Sequence, residues 1–450
     1  MNQISLKQMA EWAGGALIQG VPSDCVGAVS TDTRKLSEGD TFLALKGDNF
    51  DGHEFVKTAQ EVGVAAIIVS NLVKDTESFE GGIIHVRDTL VALQMLAKNY
   101  RESLDIFAIG VTGSNGKTST KDFLKTILAK AGPVNATLGN LNNHIGLPLT
   151  ILNSTDEHKF GVWEMGMNHP GEIEVLADIA APNAGIITNI GTAHIEHMKT
   201  REAIAEEKGQ LAEMVESCGF FVMPANDDFA EAIAGRSAAR MIAVGIGEGD
   251  VQAGNLIATG EGTFFDVIAG GKRVSTSIRV AGEHMVMNAL LGVAVALELG
   301  VDLETIGSGL SEAELTRGRL QRREVNGVQF IDDSYNANPD SMRAALKTLS
   351  STETAGRRIA VLGFMGELGE HEEAEHKLLG EAVAEAGVDL LVTVSEKAKL
   401  IAESGGSDHA FDDHEAAGNF LKSELKPGDL VLVKGSRAAT MEKVIEQFSK

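Results

Sequence analysis

Between Ile106 and Thr120 the chain reads IFAIGVTGSNGKTST, an apolar run, a glycine-rich turn and then the amphipathic stretch KDFLKTILAK. A strand with apolar residues on both faces needs cover on both sides, which places it inside a parallel sheet flanked by helices. The turn after it is just as restrictive. Gly113 and Gly116 let backbone N–H groups come close to an anion, Lys117 supplies a cation, and the Thr118 hydroxyl can ligate Mg²⁺. The usual GxxxxGK[ST] spacing would put its first glycine at Val111, so the match is to a variant, GxxGxxGKT, starting at Gly110. Strand, glycine turn and helix N-terminus together point to a nucleotide triphosphate site for ATP or GTP, formed by Gly113, Ser114, Asn115, Gly116, Lys117, Thr118 and Ser119.

The remaining sequence repeats the strand and helix alternation on either side of this turn. Residues 1 to about 100 read as a small N-terminal α/β domain ending in the helical VALQMLAKNYRES. Residues 101–314 hold the phosphate loop and the buried strands FGVWEMGM, AGIITNI, FFVMPA and RMIAVGI, followed by a hairpin turning at Gly270 and Gly271. Alternation restarts after a polar linker placed at Gly309 to Arg317, with VQFIDD, RRIAVLGF, LLVTVS and LVLVKG. This gives a third, Rossmann-like α/β domain over 315–450. The 450 residues suffice for three such cores.

Composition narrows the function. Lys and Arg number 39 against 64 Asp and Glu, a net charge of −25, so binding to nucleic acid through a positive surface is not expected. An anionic ligand must be held by a few placed cations, helix N-termini or Mg²⁺. Cys25 and Cys218 are in no metal or redox spacing. The N-terminus lacks the pattern of a signal peptide, and no run of about 18 apolar residues occurs, so a cytoplasmic protein without stable membrane insertion is expected. The run HEEAEH spaces its histidines, His371 and His376, five apart rather than the four of a metalloprotease motif, and reads as a solvated helix face.

Taken in order, TGSNGKTS, GNLNNHIGLP, VWEMGMNHPGEI, TNIGTAHIEH, GEHMVMNALL, IDDSYNANPDSM and VLVKGSRAATME resemble the motifs of the Mur ligases, the ATP-dependent amide ligases of peptidoglycan synthesis. DDSYNANPDSM and LVKGSRAATME are most similar to the branch that joins D-alanyl-D-alanine to UDP-N-acetylmuramoyl-tripeptide. The third residue of that tripeptide, meso-diaminopimelate or lysine, stays open. The resemblance implies a monomer using ATP and Mg²⁺ and working through an acyl phosphate. Folylpolyglutamate-synthase-like ligases share the phosphate loop but would lack the STDTR and GHEF segment present here, and a non-catalytic nucleotide-binding regulator is the alternative from another class.

Residue by residue, the resemblance assigns Thr31, Asp32, Thr33, Arg34, Lys46 and Gly47 to the UDP-sugar. Arg34 suits a pyrophosphate because its planar fork offers several donors at once. Glu164 stands out on physical grounds too, as a charge inside the apolar strand VWEMGM. By resemblance Glu164 ligates the Mg²⁺ at the ATP phosphates, and His194 ligates a second Mg²⁺ supported by a carbamylated Lys208. No carboxylate stands three or four residues from Lys208 to pair with it along a helix. Asn140, Asn142 and Asn143 would face the nucleotide-sugar peptide and the reacting phosphate. Asn288 would reach the adenine, with Arg319, Asp333 and Tyr335 coming from the third domain to the nucleotide. Lys434, Ser436 and Arg437, between a strand and a helix, suit the incoming dipeptide carboxylate. Two positions depart from the family pattern. Met285 follows His284 where asparagine is usual, and Phe364 stands in VLGFMGELG where an acidic residue is common.

Overall fold

The computed structural model describes residues 1–47, 50–259 and 261–450. Each run of alternation closes into its own sheet. The first has five strands in the order Ala16–Gln19, Gly82–His85, Ala66–Val69, Thr41–Leu43, Val29–Ser30, parallel except for the outermost Ala16–Gln19. The helix Thr89–Glu102 leaves this unit, its start capped by Asp88, which accepts from the N–H groups of Leu90 and Val91.

The central sheet has nine strands, running Lys272–Ile278, Gly262–Ala269, Val251–Thr259, Arg240–Ile246, Phe220–Pro224, Ala184–Ile187, Phe107–Thr112, Phe160–Glu164, Val134–Ala136. From Val251–Thr259 to Val134–Ala136 all neighbours are parallel, and at the far edge Gly262–Ala269 is antiparallel to both its neighbours, joined to Lys272–Ile278 by a hairpin. Its turn residues Gly270 and Gly271 have φ of +55° and +74°, the pair of left-handed conformations that a two-residue hairpin turn needs. The strand Phe107–Thr112 sits inside the sheet. Ile109 and Val111 pack with the helices Lys117–Leu128 and Glu283–Glu298, while Ala108 belongs to the opposite core with Trp163, Leu176 and Leu211. That two-sided burial is why the strand is apolar throughout.

The third sheet has six strands in the order Gln321–Val325, Val328–Asp333, Leu430–Lys434, Arg358–Gly363, Leu390–Val394, Ala410–Phe411, parallel except for the first pair. The linker begins later than its polar sequence suggested. Gly309 lies in the helix Leu303–Glu312, where a Cβ would come 2.9 Å from the Ile127 backbone, so close helix packing and not a loop explains this glycine. The HEEAEH run also differs from a solvated face. His376 is fully buried, its Nε2 accepting from the Met365 N–H and its Nδ1 facing the Glu372 carbonyl, because the Glu372–Glu385 helix turns this position onto the sheet.

The first and central units share one apolar core in which the helix Thr89–Glu102 packs on the helices Gly146–Leu152 and Glu172–Ala180. Arg101 crosses this seam buried. Its guanidinium donates to the carbonyls of Ala180, Leu104 and Ile106 and stacks over Trp163. Among the described residues no helix is long and apolar enough to cross a membrane.

Candidate active site

The glycine turn takes the shape its sequence implies. Gly113 has φ of +142°, and a Cβ on it would fall 1.8 Å from the Thr188 hydroxyl; Gly116 has φ of +83°, and a Cβ there would fall 2.2 Å from Asn288 Oδ1. Both positions therefore exclude a side chain by conformation and by space. The helix Lys117–Leu128 starts directly after, so its N-terminal N–H groups face the turn.

Lys117 Nζ donates to the Gly113 carbonyl at 2.6 Å, folding the side chain back over the loop. Burial lowers its pKa to about 8, against the pull of Glu164. A lysine so desolvated gains from a polyanion placed beside it, which would raise its pKa again. Glu164 ends the strand beside the loop and is 1% exposed. Burial raises its pKa despite Lys121 and Lys117 nearby. One oxygen, Oε2, accepts from the Thr118 hydroxyl at 3.3 Å; the other, Oε1, has no hydrogen-bond partner among the described residues and lies 3.7 Å from Lys121 Nζ. A buried, half-unsatisfied carboxylate touching a hydroxyl is a hard-oxygen pair of the sort Mg²⁺ takes.

His194 occupies the left-handed region, φ +65°, at the start of the short helix Ile195–Met198. Its Nδ1 lies 2.5 Å from Glu367 Oε2 in the third unit. Burial lowers the pKa of His194, and its contact with His194 lowers that of Glu367. Lys208 is fully buried in the helix Arg201–Met214, and its Nζ has no hydrogen-bond partner among the described residues. Desolvation first, then Lys117, pushes its pKa well below the usual lysine range. The adjacent Glu207 is no partner, since its carboxylate accepts from the N–H groups of Gly171 and Ile173.

Except for Lys208, which is buried outside its lining, these groups surround a cavity of about 1030 Å³ between the central and third units, lined by Ser114 to Thr118, Asn140, Asn142, Asn143, Glu164, His194, Arg319, Tyr335, Ser436 and Arg437 among others. Arg319 reaches in from the third unit, donating to Thr118 Oγ1 at 3.2 Å and stacking 4.0 Å over the Tyr335 ring. In the asparagine loop, Asn143 Oδ1 accepts from Ile145 and Gly146 N–H, and Asn142 fits against Gly166, two residues after Glu164.

Other expected positions lie elsewhere. Gly113 shapes the loop without lining the cavity, Ser119 and Asn288 stand behind it, and Asn288 Nδ2 contacts Met285 Sδ at 3.7 Å. Lys434 does not face the cavity. It is 2% exposed and pairs with Asp333 at 2.5 Å while donating to the Asn336 carbonyl. The pair neutralises two buried charges and ties the ends of two neighbouring strands, so Asp333 and Lys434 support the cleft where direct contact with nucleotide and dipeptide had been expected. Thr31, Asp32, Thr33 and Arg34 lie away from this cavity, in a turn after the strand Val29–Ser30, which packs near the helix Gly146–Leu152. Asp32 caps its own turn and holds the exposed Arg34 in a two-pronged pair at 2.9 Å. Lys46 bridges to Asp51, and Asp48 and Asn49 lie outside the described residues. Phe364 fills its place by packing, with Lys397 Nζ 5.6 Å over its ring.

The sequence reading missed Asn338, Asp340 and Glu367. Asn338 Nδ2 donates to Asn115 Oδ1, Asp340 Oδ2 accepts from Thr192, and Glu367 meets His194. Asn338 begins a helix and Asp340 stands in its first turn, which reads as ordinary capping until the partner loop is in view.

Three family models match in chain order: the Mur ligase family catalytic domain over residues 26–101, the Mur ligase middle domain over 111–296, and the Mur ligase glutamate ligase domain over 318–437. The UDP-N-acetylmuramoyl-tripeptide--D-alanyl-D-alanine ligase of Bacillus subtilis is 36% identical, over 100% of this chain and 99% of its own. The chain belongs to the Mur ligase family. As a Mur ligase it is an enzyme of the ligase class. Among solved structures, a crystal structure of MurF from Acinetobacter baumannii superposes with a TM-score of 0.92 at 33% identity over the whole of both chains. The MurF ligase of Thermotoga maritima in complex with ADP superposes with a TM-score of 0.83 at 30% identity, over 94% of this chain and 97% of that one.

Proposed function

We propose that this Mur ligase joins D-alanyl-D-alanine to UDP-N-acetylmuramoyl-tripeptide with hydrolysis of ATP to ADP and phosphate, giving UDP-N-acetylmuramoyl-pentapeptide for peptidoglycan. Full-length similarity to ligases named for that reaction supports the substrates. One observation carries the chemistry: Glu164, buried beside Thr118 and Lys117 with one oxygen that has no hydrogen-bond partner among the described residues, faces a cleft that Arg319 of another unit completes.

In this reading the phosphate loop holds the ATP phosphates, and the tripeptide carboxylate attacks the γ-phosphorus to form an acyl phosphate and release ADP. The dipeptide amine then attacks the acyl carbon, and phosphate leaves. Two anions meet in the first step, so positive groups decide its rate. Lys117 and Arg319 approach from opposite units, and the helix N-terminus at Lys117 adds its N–H groups. Mg²⁺ held by Thr118 and Glu164, with a second ion at His194 and a carbamylated Lys208, would add positive charge at the phosphates. Lys208, buried and with no hydrogen-bond partner among the described residues, suits that modification, because conversion of an amine to a carbamate needs the neutral amine that desolvation favours.

Asn140, Asn142 and Asn143 offer neutral amides to the peptide and transferring phosphate. Ser436 and Arg437 face the cleft where a carboxylate of the dipeptide would enter. Thr31 to Arg34, with Lys46 and Gly47, would take the UDP-sugar at the far end of the substrate. Units of 1–100, 101–314 and 315–450 would thus bind nucleotide-sugar, ATP, and dipeptide with the rest of the ATP. Closure of the third unit would keep water from the acyl phosphate.

The test is phosphate release from ATP with UDP-N-acetylmuramoyl-tripeptide, with and without D-alanyl-D-alanine, followed by product mass. Dipeptide-dependent phosphate and the UDP-pentapeptide mass are expected. ATP binding with neither product, for tripeptides ending in diaminopimelate or lysine, would refute the reading.

A further inference from the structure

The loop Thr188 to His194 is held from both sides. On the central unit, Thr188 Oγ1 donates to the Asn115 carbonyl, Asn115 N–H donates to Asn189 Oδ1, and Gly191 N–H donates to Ser114 Oγ. The loop is thereby stitched to the phosphate loop. On the third unit, Asp340 Oδ2 accepts from both the Thr192 N–H at 3.0 Å and the Thr192 hydroxyl at 3.1 Å. Gly191 permits this approach, since a Cβ there would fall 2.5 Å from the same carboxylate oxygen. Two residues before Asp340, at the helix cap, Asn338 Nδ2 donates to Asn115 Oδ1 at 2.8 Å.

We infer that Asp340 is a positioning residue, an interdomain latch that sets the third unit in register with the phosphate loop through Thr192. The inference rests on the proposed ligase reading. A carboxylate oxygen taking two donors from one residue fixes both distance and direction, which a single surface ion pair does not. Asp340 and Asn338 bracket Pro339 at the rigid start of the Pro339–Ser351 helix, so the two contacts move together. Arg319 and Tyr335 belong to the same unit, and its register with the phosphate loop determines where they stand. Asp340 itself touches neither Lys117 nor Glu164 and acts through the placement of Arg319 and of the His194 loop.

The test compares wild type, Asp340→Ala, Asp340→Asn, Thr192→Val and the double variant Thr192→Val/Asp340→Ala in steady-state phosphate release, thermal unfolding and small-angle scattering with a non-hydrolysable ATP analogue. Asp340→Ala should lower kcat/KM by about tenfold for all three substrates alike, because each meets the same smaller docked population. Its unfolding temperature should stay within about 2 °C of wild type, since a half-exposed carboxylate is being removed, and scattering should show a larger radius of gyration. Asp340→Asn should restore at least about half the activity, as its amide oxygen can accept the same two hydrogen bonds. The double variant should be no slower than Asp340→Ala, as expected for two residues that act through one contact. Asp340→Ala within about twofold of wild type, multiplicative effects in the double variant, or an Asn variant as slow as the Ala variant would each overturn the latch. If wild type itself makes no dipeptide-dependent phosphate, the ligase reading fails, and the latch is then decided by scattering: an unchanged envelope for Asp340→Ala overturns it.

Discussion

The two seams of the molecule are built differently. Where the first unit meets the central one, the helix Thr89–Glu102 lies along two helices in a common apolar core, and Arg101 near its end satisfies buried carbonyls of the central unit. Where the third unit meets the central one, apolar residues of both also join one core, but packing between elements is concentrated at Ile195–Met198 against Gly369–His371, and the contacts that carry direction are polar: Arg319 to Thr118, Asn338 to Asn115, Asp340 to Thr192, Glu367 to His194. Apolar area holds two bodies together in water without direction. Polar contacts exchange readily with water and carry direction. The first seam is suited to staying shut, and the second to opening and closing on a site assembled from both sides.

The sharpest separation of the two seams should come from Lys117→Ala. Turnover should fall by at least about a thousandfold, since the loop's own cation at the transferring phosphate is lost, while thermal unfolding changes little. Near-normal phosphate release would overturn the phosphate-loop assignment. Arg101→Met should do the opposite. Stranding buried carbonyls should cost about 3 kcal/mol in denaturant unfolding, with turnover per folded molecule unchanged. An equal loss of kcat would mean that the first seam also works in the cycle. Arg34→Ala should raise KM for the nucleotide-sugar by about tenfold, the loss of a two-pronged anion contact, and leave kcat and the unfolding midpoint in place.

The smallest effect concerns pH. Burial holds His284 near a pKa of about 4, below the usual 6.5, in the helix that faces Asp333, Lys434 and Lys347 of the third unit. The unfolded chain therefore takes up the proton first. Stability from this site is complete above about pH 6.5 and is lost as pH falls towards about 4. Denaturation midpoints of His284→Gln should fall less steeply than wild type across that window, and parallel curves would count against a buried neutral imidazole.

Much of the candidate site is legible in the sequence because its residues break local rules. A lysine and two glycines between a buried strand and a helix, and a carboxylate in an apolar strand, have few structural explanations, so Lys117, Gly113, Gly116 and Glu164 declare themselves. Lys208 entered through the family resemblance, with no carboxylate at helical spacing to favour an exposed helix lysine, and the structure buries it with no hydrogen-bond partner among the described residues. Lys434 misled for the converse reason. A lysine after a strand and before a turn looks free to meet an anion, and only pairing of the neighbouring strand brings Asp333 to it. His376 misled in the same way, since a run of glutamates around it hides the one face that turns inward.

By itself the sequence determined the elements, their alternation and the phosphate loop, because backbone conformation and burial are written in local residue type and spacing. It also determined the family, because ordered motifs along the whole chain carry that information. The tertiary structure alone decided which side chains meet across a seam. Asn338 and Asp340 are more than 140 residues from Asn115 and Thr192, and no local pattern encodes such a distance: the contact exists only once two separately folded sheets are set against each other.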